Sequence, residues 1–479
     1  MSKPIKIILT IAAIILIALP MCYQAYINKL FVFDEGYYFI AANELGERGR
    51  FFIFFDPTSH LQNTKPYLFV FIQTLFGKCF GWNEWSLRIP IIASAVTLIL
   101  LIYFSIKRIV QDHWWALTSA AVLLLIPYFV CPHMAFTGDH DVPLILFTTG
   151  FIFFYYSFLV EPEKNTYQRY LLWAILFATL SILTKGWMIV FFLPASFVFL
   201  FLYKKHTLLF TNGYFWMGMV FSILALASWY LGREYLDPGY LEAVWTYEIG
   251  RYHTFIEPVH PEWNYYWKIL FEIQLHYWVL GFIPAAIFLL KKMNGSQNKF
   301  IYYILVQALA FLCIFSFSKV KLLWYDAPIL PLCAVIIGFG IFETFKRIST
   351  FFYFQQRIVI GILFTLVFSV FYIQIFTRSF SRFYMESYGD FMVSKQTDIP
   401  YSIAYAEYNP HLLFYEQYAT RFLKQSHVLK KRQSSFQVGE KILVCEPVLM
   451  FNIKRKYEYE TIDSLGKSVF IQIKKSRAE

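Results

Sequence analysis

Long apolar runs separated by short polar breaks fill the first 377 residues of the chain. A helix needs about 20 mostly apolar residues to cross a bilayer, because the hydrocarbon core is ~30 Å thick and each residue rises ~1.5 Å. By that measure spans are predicted near Ile7 to Ile27, Leu87 to Ile106, Trp114 to Val130, Pro143 to Val160, Tyr170 to Leu183 and Trp187 to Tyr203. Further spans are predicted near Tyr214 to Leu231, His276 to Leu290, Phe300 to Phe317, Tyr325 to Phe345 and Ile358 to Phe376. The prediction is therefore an all-α polytopic domain of about eleven transmembrane helices. Tyr67 to Phe80 is apolar but short, and is expected as a surface helix leading into the second span.

The pattern changes after Thr377. From Arg378 to Glu479 the chain is polar and mildly basic, with β-branched and aromatic runs such as SIAYAEY and KILVCEPVLMF between helical stretches. This tail has the size of a small domain and is expected to be a soluble α/β or α+β unit. The division is thus 1–377 for the membrane part and 378–479 for the soluble part. At the other end, Lys3 and Lys6 before an apolar run could begin a cleaved signal. Pro20 and Met21 stand before Cys22 where processing needs small residues, so an uncleaved first helix is expected.

Composition agrees with a lipid solvent: 58% of the 479 residues are hydrophobic, only 15% are charged, and the mean hydropathy is +0.50. Abundant Tyr and Trp suit repeated interface crossings. The formal charge of +11 does not point to nucleic acid, because the cations fall mainly in short loops where they set orientation. One loop set holds Lys107, Arg108, Lys164, Arg169, Lys204, Lys205, Lys346 and Arg347 among others, and is expected to be cytoplasmic. The opposite set holds Asn28 to Ser86, Cys131 to Asp141, Gly232 to Leu275 and the tail, which places the chemistry on the extracytoplasmic face of a cell membrane. Six scattered cysteines carry no pairing or metal signature.

On that face ionisable residues gather. Asp34 and Glu35 lie in FDEGYYFIA, Lys65 in NTKPYLF, Asp139 and Asp141 in TGDHDVPL, and Lys185 in LTKGW. Glu248, Arg251 and His260 lie in one long loop, and Lys319, Lys321 and Tyr325 in FSKVKLLWY. Carboxylates and lysines at one membrane surface suit a reaction in which an anionic phosphate leaves while an acceptor is oriented or deprotonated. Any single lysine near a helix end can instead snorkel to the headgroups. His260 reads first as an interfacial histidine, with a phosphate donor or a metal ligand as alternatives; no metal is assigned, and a divalent metal is possible.

These segments, in this order, resemble the GT-C glycosyltransferases, in the branch of protein O-mannosyltransferase-like enzymes and the lipid A aminoarabinose transferases. FDEGYYFIA resembles the first-loop acidic motif, NTKPYLFVFIQTLFGKCFGWNEWSLRIP the KPP helix and its asparagine-glutamate and arginine-proline run. TGDHDVPLILFTT resembles the second acidic motif, LTKGWMIVFFLP the KG motif, and FSKVKLLWYDAPILP the late lysine, tyrosine and proline motif. The likeness implies a polyprenyl-phosphate sugar donor and transfer with inversion to a lipid, glycan or protein acceptor. It implies Asp34 as principal catalytic carboxylate and Asp141, or Asp139, as a second acid. Lys65 would hold the donor phosphate, with Lys185, Lys321 and Tyr325 as further contacts. Thr64 stands where the lipid A enzymes have a glutamate associated with a metal, Tyr37 where many relatives have arginine, and Tyr67 where KPP has its second proline. The alternative functions are a lipid or solute transporter, which would bury charges mid-span, and a non-catalytic scaffold.

Overall fold

The structure, a computed structural model, describes all residues except 1–2, 32–33, 50–63, 251–259, 261, 291–294, 352–353, 381–386, 396–398, 407–409, 433 and 478–479. The N-terminal part begins with α1 (Lys3–Ile27), α2 (Asp34–Arg48) and α3 (Leu68–Phe80). It continues through α4 (Glu84–Val110), α5 (His113–Leu125), α6 (Asp141–Val160) and α7 (Lys164–Lys185). Helices Leu193–Leu202, Gly213–Leu236, Phe282–Leu290, Ser296–Phe315, Leu330–Phe351 and Phe354–Thr377 complete it, with shorter helical turns between.

Local chemistry sets several boundaries. Asn83 caps α4 by accepting from the Ser86 amide at 3.0 Å, and the Asp112 carboxylate accepts from the Trp114 and Trp115 amides at the start of α5. Gly186, at φ +97, ends α7 and leaves Lys185 as its last helical residue.

Among the described residues five helices are long and apolar enough to cross a membrane: Glu84–Val110, Asp141–Val160, Gly213–Leu236, Gln297–Phe315 and Ala327–Ile348. The count is six if Tyr265–Gln274 and His276–Leu290, bent by 105°, form one broken span. The eleven expected from apolar runs thus meet fewer full-length helices. Ile11–Ile27, Leu68–Phe80, His113–Leu125, Trp187–Leu202 and Thr365–Thr377 are apolar but fall short of the crossing length within the described residues. One unexpected helix, α2, occupies what reads in sequence as a loop.

The C-terminal part holds a five-stranded mixed sheet in the order β2-β1-β3-β5-β4. Its strands are β1 (Tyr401–Tyr405), β2 (His427–Lys431), β3 (Lys441–Val444), β4 (Tyr457–Leu465) and β5 (Ser468–Ser476). β2, β1 and β3 are parallel; β5 is antiparallel to β3 and β4. Because side chains alternate across a strand, Ile403, Leu443 and Phe470 face helices Ser387–Ser394 and Pro410–Phe422, whereas Ala404, Ile442 and Ile471 face helix Pro447–Lys456.

Helix Pro410–Phe422 docks the sheet onto the N-terminal part. The Tyr415 hydroxyl donates to Glu84 at 2.5 Å and accepts from the Leu30 amide at 3.0 Å, and Asn43 of α2 donates to Gln417 at 2.9 Å. Phe39, Tyr67 and Leu87 share an apolar cluster with Tyr388, Leu412 and Tyr415. Helix Pro410–Phe422 thus holds the sheet beside α2, the helix that carries the acidic pair.

Candidate active site

The acidic pair opens α2, where carboxylates are favoured by the unpaired amides of a helix N-terminus. Its two members separate at once. Glu35 is 1% exposed and meets Arg88 of α4, itself fully buried, through Nε at 2.5 Å and a second guanidinium nitrogen at 2.9 Å. Arg88 also donates to the carbonyls of Ala25, Asn28 and Lys29. Glu35 accepts from the amides of Gly138 at 2.7 Å and Phe31 at 3.0 Å. Glu35, expected as a substrate contact, has both oxygens engaged within the protein here, where it ties α1, α2, α4 and the loop before α6 into one block. Asp34, next in sequence, keeps 35% of its side chain exposed.

Asp141 is the first residue of α6 and Lys185 the last of α7. The two helices run antiparallel in a hairpin, which brings these ends together although 44 residues separate them. Lys185 Nζ lies 2.5 Å from Asp141 and 3.9 Å from Asp34. Both Lys185 and Asp141 are nearly closed to solvent, so Asp34 is the open member of this trio.

Asp139 pairs instead with His133, at 3.4 Å. Burial disfavours the His133 imidazolium, but the Asp139 carboxylate more than offsets this and holds its pKa up at about 9. Burial likewise opposes the charge on Asp139, yet His133 holds it down at about 2. The His133 ring stacks on Trp324, with centroids 4.1 Å apart, and its backbone takes φ +67, a conformation rarely adopted by residues with a Cβ. His140, buried and hydrogen-bonded to Gln73 at 3.0 Å, is pushed down to about 3 by burial and by Lys185, and stays neutral against Tyr38.

On the other wall Lys65 is ion-paired with Glu248, whose second oxygen accepts from the Thr64 hydroxyl at 2.5 Å. The Tyr240 hydroxyl donates to the Thr64 carbonyl at 3.0 Å and steadies this turn. A narrow cavity of about 30 Å³ joins the two walls; Lys65, Asp141, Leu144, Lys185, Trp187, Met188, Glu248, Trp324 and Tyr325 line it. Lys65, Asp141, Lys185, Glu248 and Tyr325 of the expected residues therefore meet in one place, with Asp34 in reach of Lys185.

The other described residues among those expected are not part of that lining. Buried Lys321 turns to the His260 carbonyl at 3.1 Å, and the exposed His260 ring stacks on Tyr265. Lys319 is exposed, and Arg251 lies outside the described residues. Arg88, His133 and Trp324 carry structural weight that sequence reasoning missed. Arg88 had a signal, since an arginine inside an apolar run requires a partner; His133 and Trp324 had none.

One oxygen or nitrogen from each of Asp34, His133 and Asp139 falls within a 4.8 Å group that could bind a divalent cation. His133 lies 3.4 Å from Asp139 and the Lys185 ammonium 3.9 Å from Asp34, so a cation there would have to take the place of both contacts. Thr64 commits its hydroxyl to Glu248 at the position where the resemblance carries a metal-associated glutamate.

The sequence profile of the family described as dolichyl-phosphate-mannose-protein mannosyltransferase matches residues 64–231. The undecaprenyl phosphate-alpha-4-amino-4-deoxy-L-arabinose arabinosyl transferase of Shewanella sediminis (strain HAW-EB3) is 24% identical over 322 residues, 66% of this chain and 56% of that protein. The match thus spans little more than half of that relative. The crystal structure of ArnT from Cupriavidus metallidurans bound to undecaprenyl phosphate superposes with a TM-score of 0.69 at 13% identity, covering 98% of both chains. Its apo form gives 0.66 at 13% identity, covering 96% of this chain and 97% of that one. In fold the chain is therefore similar to these transferase structures, and its residues 64–231 match the mannosyltransferase family profile.

Proposed function

We propose that this protein transfers a monosaccharide from a polyprenyl-phosphate donor to a lipid, glycan or protein acceptor, with inversion, on the extracytoplasmic face of the cell membrane. The observation that carries the reading is the half-open Asp34 carboxylate, 3.9 Å from Lys185, at a cavity that Lys185 and Lys65 line. An acceptor hydroxyl attacks the anomeric carbon and gives its proton to Asp34. The bond from that carbon to the phosphate oxygen breaks, and the oxygen leaves with the electron pair. Lys65 and Lys185 stabilise the charge it gains, in a setting where the surrounding aromatic walls keep water scarce. A phosphate acceptor, already ionised, needs no base, and Asp34 then orients it.

Glu248 holds Lys65 before the donor arrives, so the donor phosphate takes the place of that carboxylate on the lysine. The extracytoplasmic assignment draws on the lysine- and arginine-poor loops that carry the site. The transporter alternative finds no support: buried Arg88, Asp141, Lys185 and Arg233 lie within two turns of helix ends.

Transfer from a polyprenyl-phosphate sugar by Asp34→Asn and Lys65→Ala variants in proteoliposomes tests the reading. Each is expected to lose about a hundredfold or more in kcat/KM, the scale of a lost acid–base or charge-stabilising group. Activity near wild type in both rejects the roles given to Asp34 and Lys65, and no transfer by the wild type rejects the activity.

A further inference from the structure

On the outer face of the sheet, away from α2, one covering element is missing. Helix Pro447–Lys456 packs over β3 and β5, but the connection from β2 to β3 forms no helix among its described residues. The space left over β1 and β2 is a cavity of about 350 Å³, a size that suits a small ligand. Ala404 and Arg432 line it at the carboxyl ends of the parallel strands β1 and β2, beside the point where the chain order of the sheet reverses. Ligands of open α/β sheets gather at such reversals.

The lining carries one sign of charge. Arg432, Arg455 and Lys456 contribute cations, Ser434 and Asn452 neutral polar groups, and no carboxylate is among the described lining residues. The nearby Glu440 is engaged by Lys430 at 2.7 Å and by Ser402. Arg455 and Lys456 lie in the last turn of their helix, where cations suit the exposed carbonyls. Arg432 comes from a different element across the cavity, so helix-end chemistry does not account for it. Tyr457 and Phe436, whose rings meet at 5.8 Å, add an aromatic wall of the kind that receives the apolar face of a sugar ring.

We propose that this cavity binds an anionic sugar residue, bearing phosphate or carboxylate, of the acceptor; naming it as the acceptor rests on the transferase reading above, whereas the binding itself does not. Arginine guanidinium groups match such anions by paired, charge-assisted hydrogen bonds.

The full-length protein in nanodiscs of neutral lipid is titrated calorimetrically with glucose 6-phosphate, inorganic phosphate and glucose. Glucose 6-phosphate is expected to bind better than inorganic phosphate, and glucose not at all. The double substitution Arg432→Ala and Arg455→Ala is expected to weaken binding by about tenfold or more, on the scale of two lost charge-assisted contacts. Arg432→Ala alone, on an exposed loop position, gives an intermediate loss and guards against an effect of misfolding. The titration is repeated in nanodiscs containing anionic lipid. Unchanged affinity there supports a glycan-borne anion, and competition that the double variant abolishes supports a lipid-borne one. Undiminished glucose 6-phosphate binding in the double variant, or no binding by either phosphate probe to the wild type, overturns the proposal. No sugar transfer by the wild-type protein from a polyprenyl-phosphate donor would instead overturn the transferase reading and leave this titration untouched.

Discussion

Arg88 and Glu35, 53 residues apart and both almost fully buried, form a two-pronged ion pair that sets the position of Asp34. The catalytic proposal concerns Asp34, but the backbone that carries it is held by its neighbour. Arg88→Met leaves the Glu35 carboxylate buried without its cation, which is expected to destabilise the fold by about 3–5 kcal/mol. Thermal unfolding in detergent measures this. A melting temperature equal to wild type would show that the pair does not hold the block.

Lys65 and Glu248 are expected to trade partners when the donor binds. Glu248→Gln removes the competing charge and is expected to tighten binding of polyprenyl phosphate by about twofold to fivefold, the range of a partly exposed ion pair. Lys65→Ala is expected to weaken it. Equilibrium binding of the lipid phosphate reads both, and weaker binding in Glu248→Gln would place Glu248 among the groups that hold the donor.

The His133 and Asp139 pair predicts a pH window. His133 has a folded pKa of about 9, above its ordinary 6.5, so its stabilisation is full below about 6.5 and is lost as pH rises through 9. Asp139 has a folded pKa of about 2, below its ordinary 3.8, so its share is full above 3.8 and is lost as pH falls through 2. The melting temperature of His133→Asn should therefore fall below that of wild type near neutrality and converge with it above pH 9. A constant gap across that range contradicts the ion pair.

Gly138 sits where a side chain has no room. A Cβ there would lie 2.2 Å from a Phe39 ring carbon and 3.2 Å from Cγ of Glu35. Gly138→Ala is expected to cost about 1–3 kcal/mol, typical of overpacking, and to displace Glu35 and hence Asp34. Transfer kinetics should show a loss in kcat larger than the change in donor KM; wild-type kcat would separate Gly138 from the site.

The apolar runs by themselves determined a helical membrane part and a change of character near Thr377, because burial in lipid demands continuous apolar surface. The motifs likewise determined the candidates Asp34, Lys65, Asp141 and Lys185, each lying at the end of an apolar stretch where a charge needs a reason. The roles of those residues were decided only in three dimensions. Asp34 and Glu35 are adjacent and chemically alike, yet one is open and the other sealed by Arg88, a partner 53 residues away. The α6–α7 hairpin decided that Lys185 meets Asp141, and the loop before α6 that Asp139 meets His133. Ion pairs of this kind depend on which helix ends share a layer, and periodicity along one helix carries no record of its neighbour.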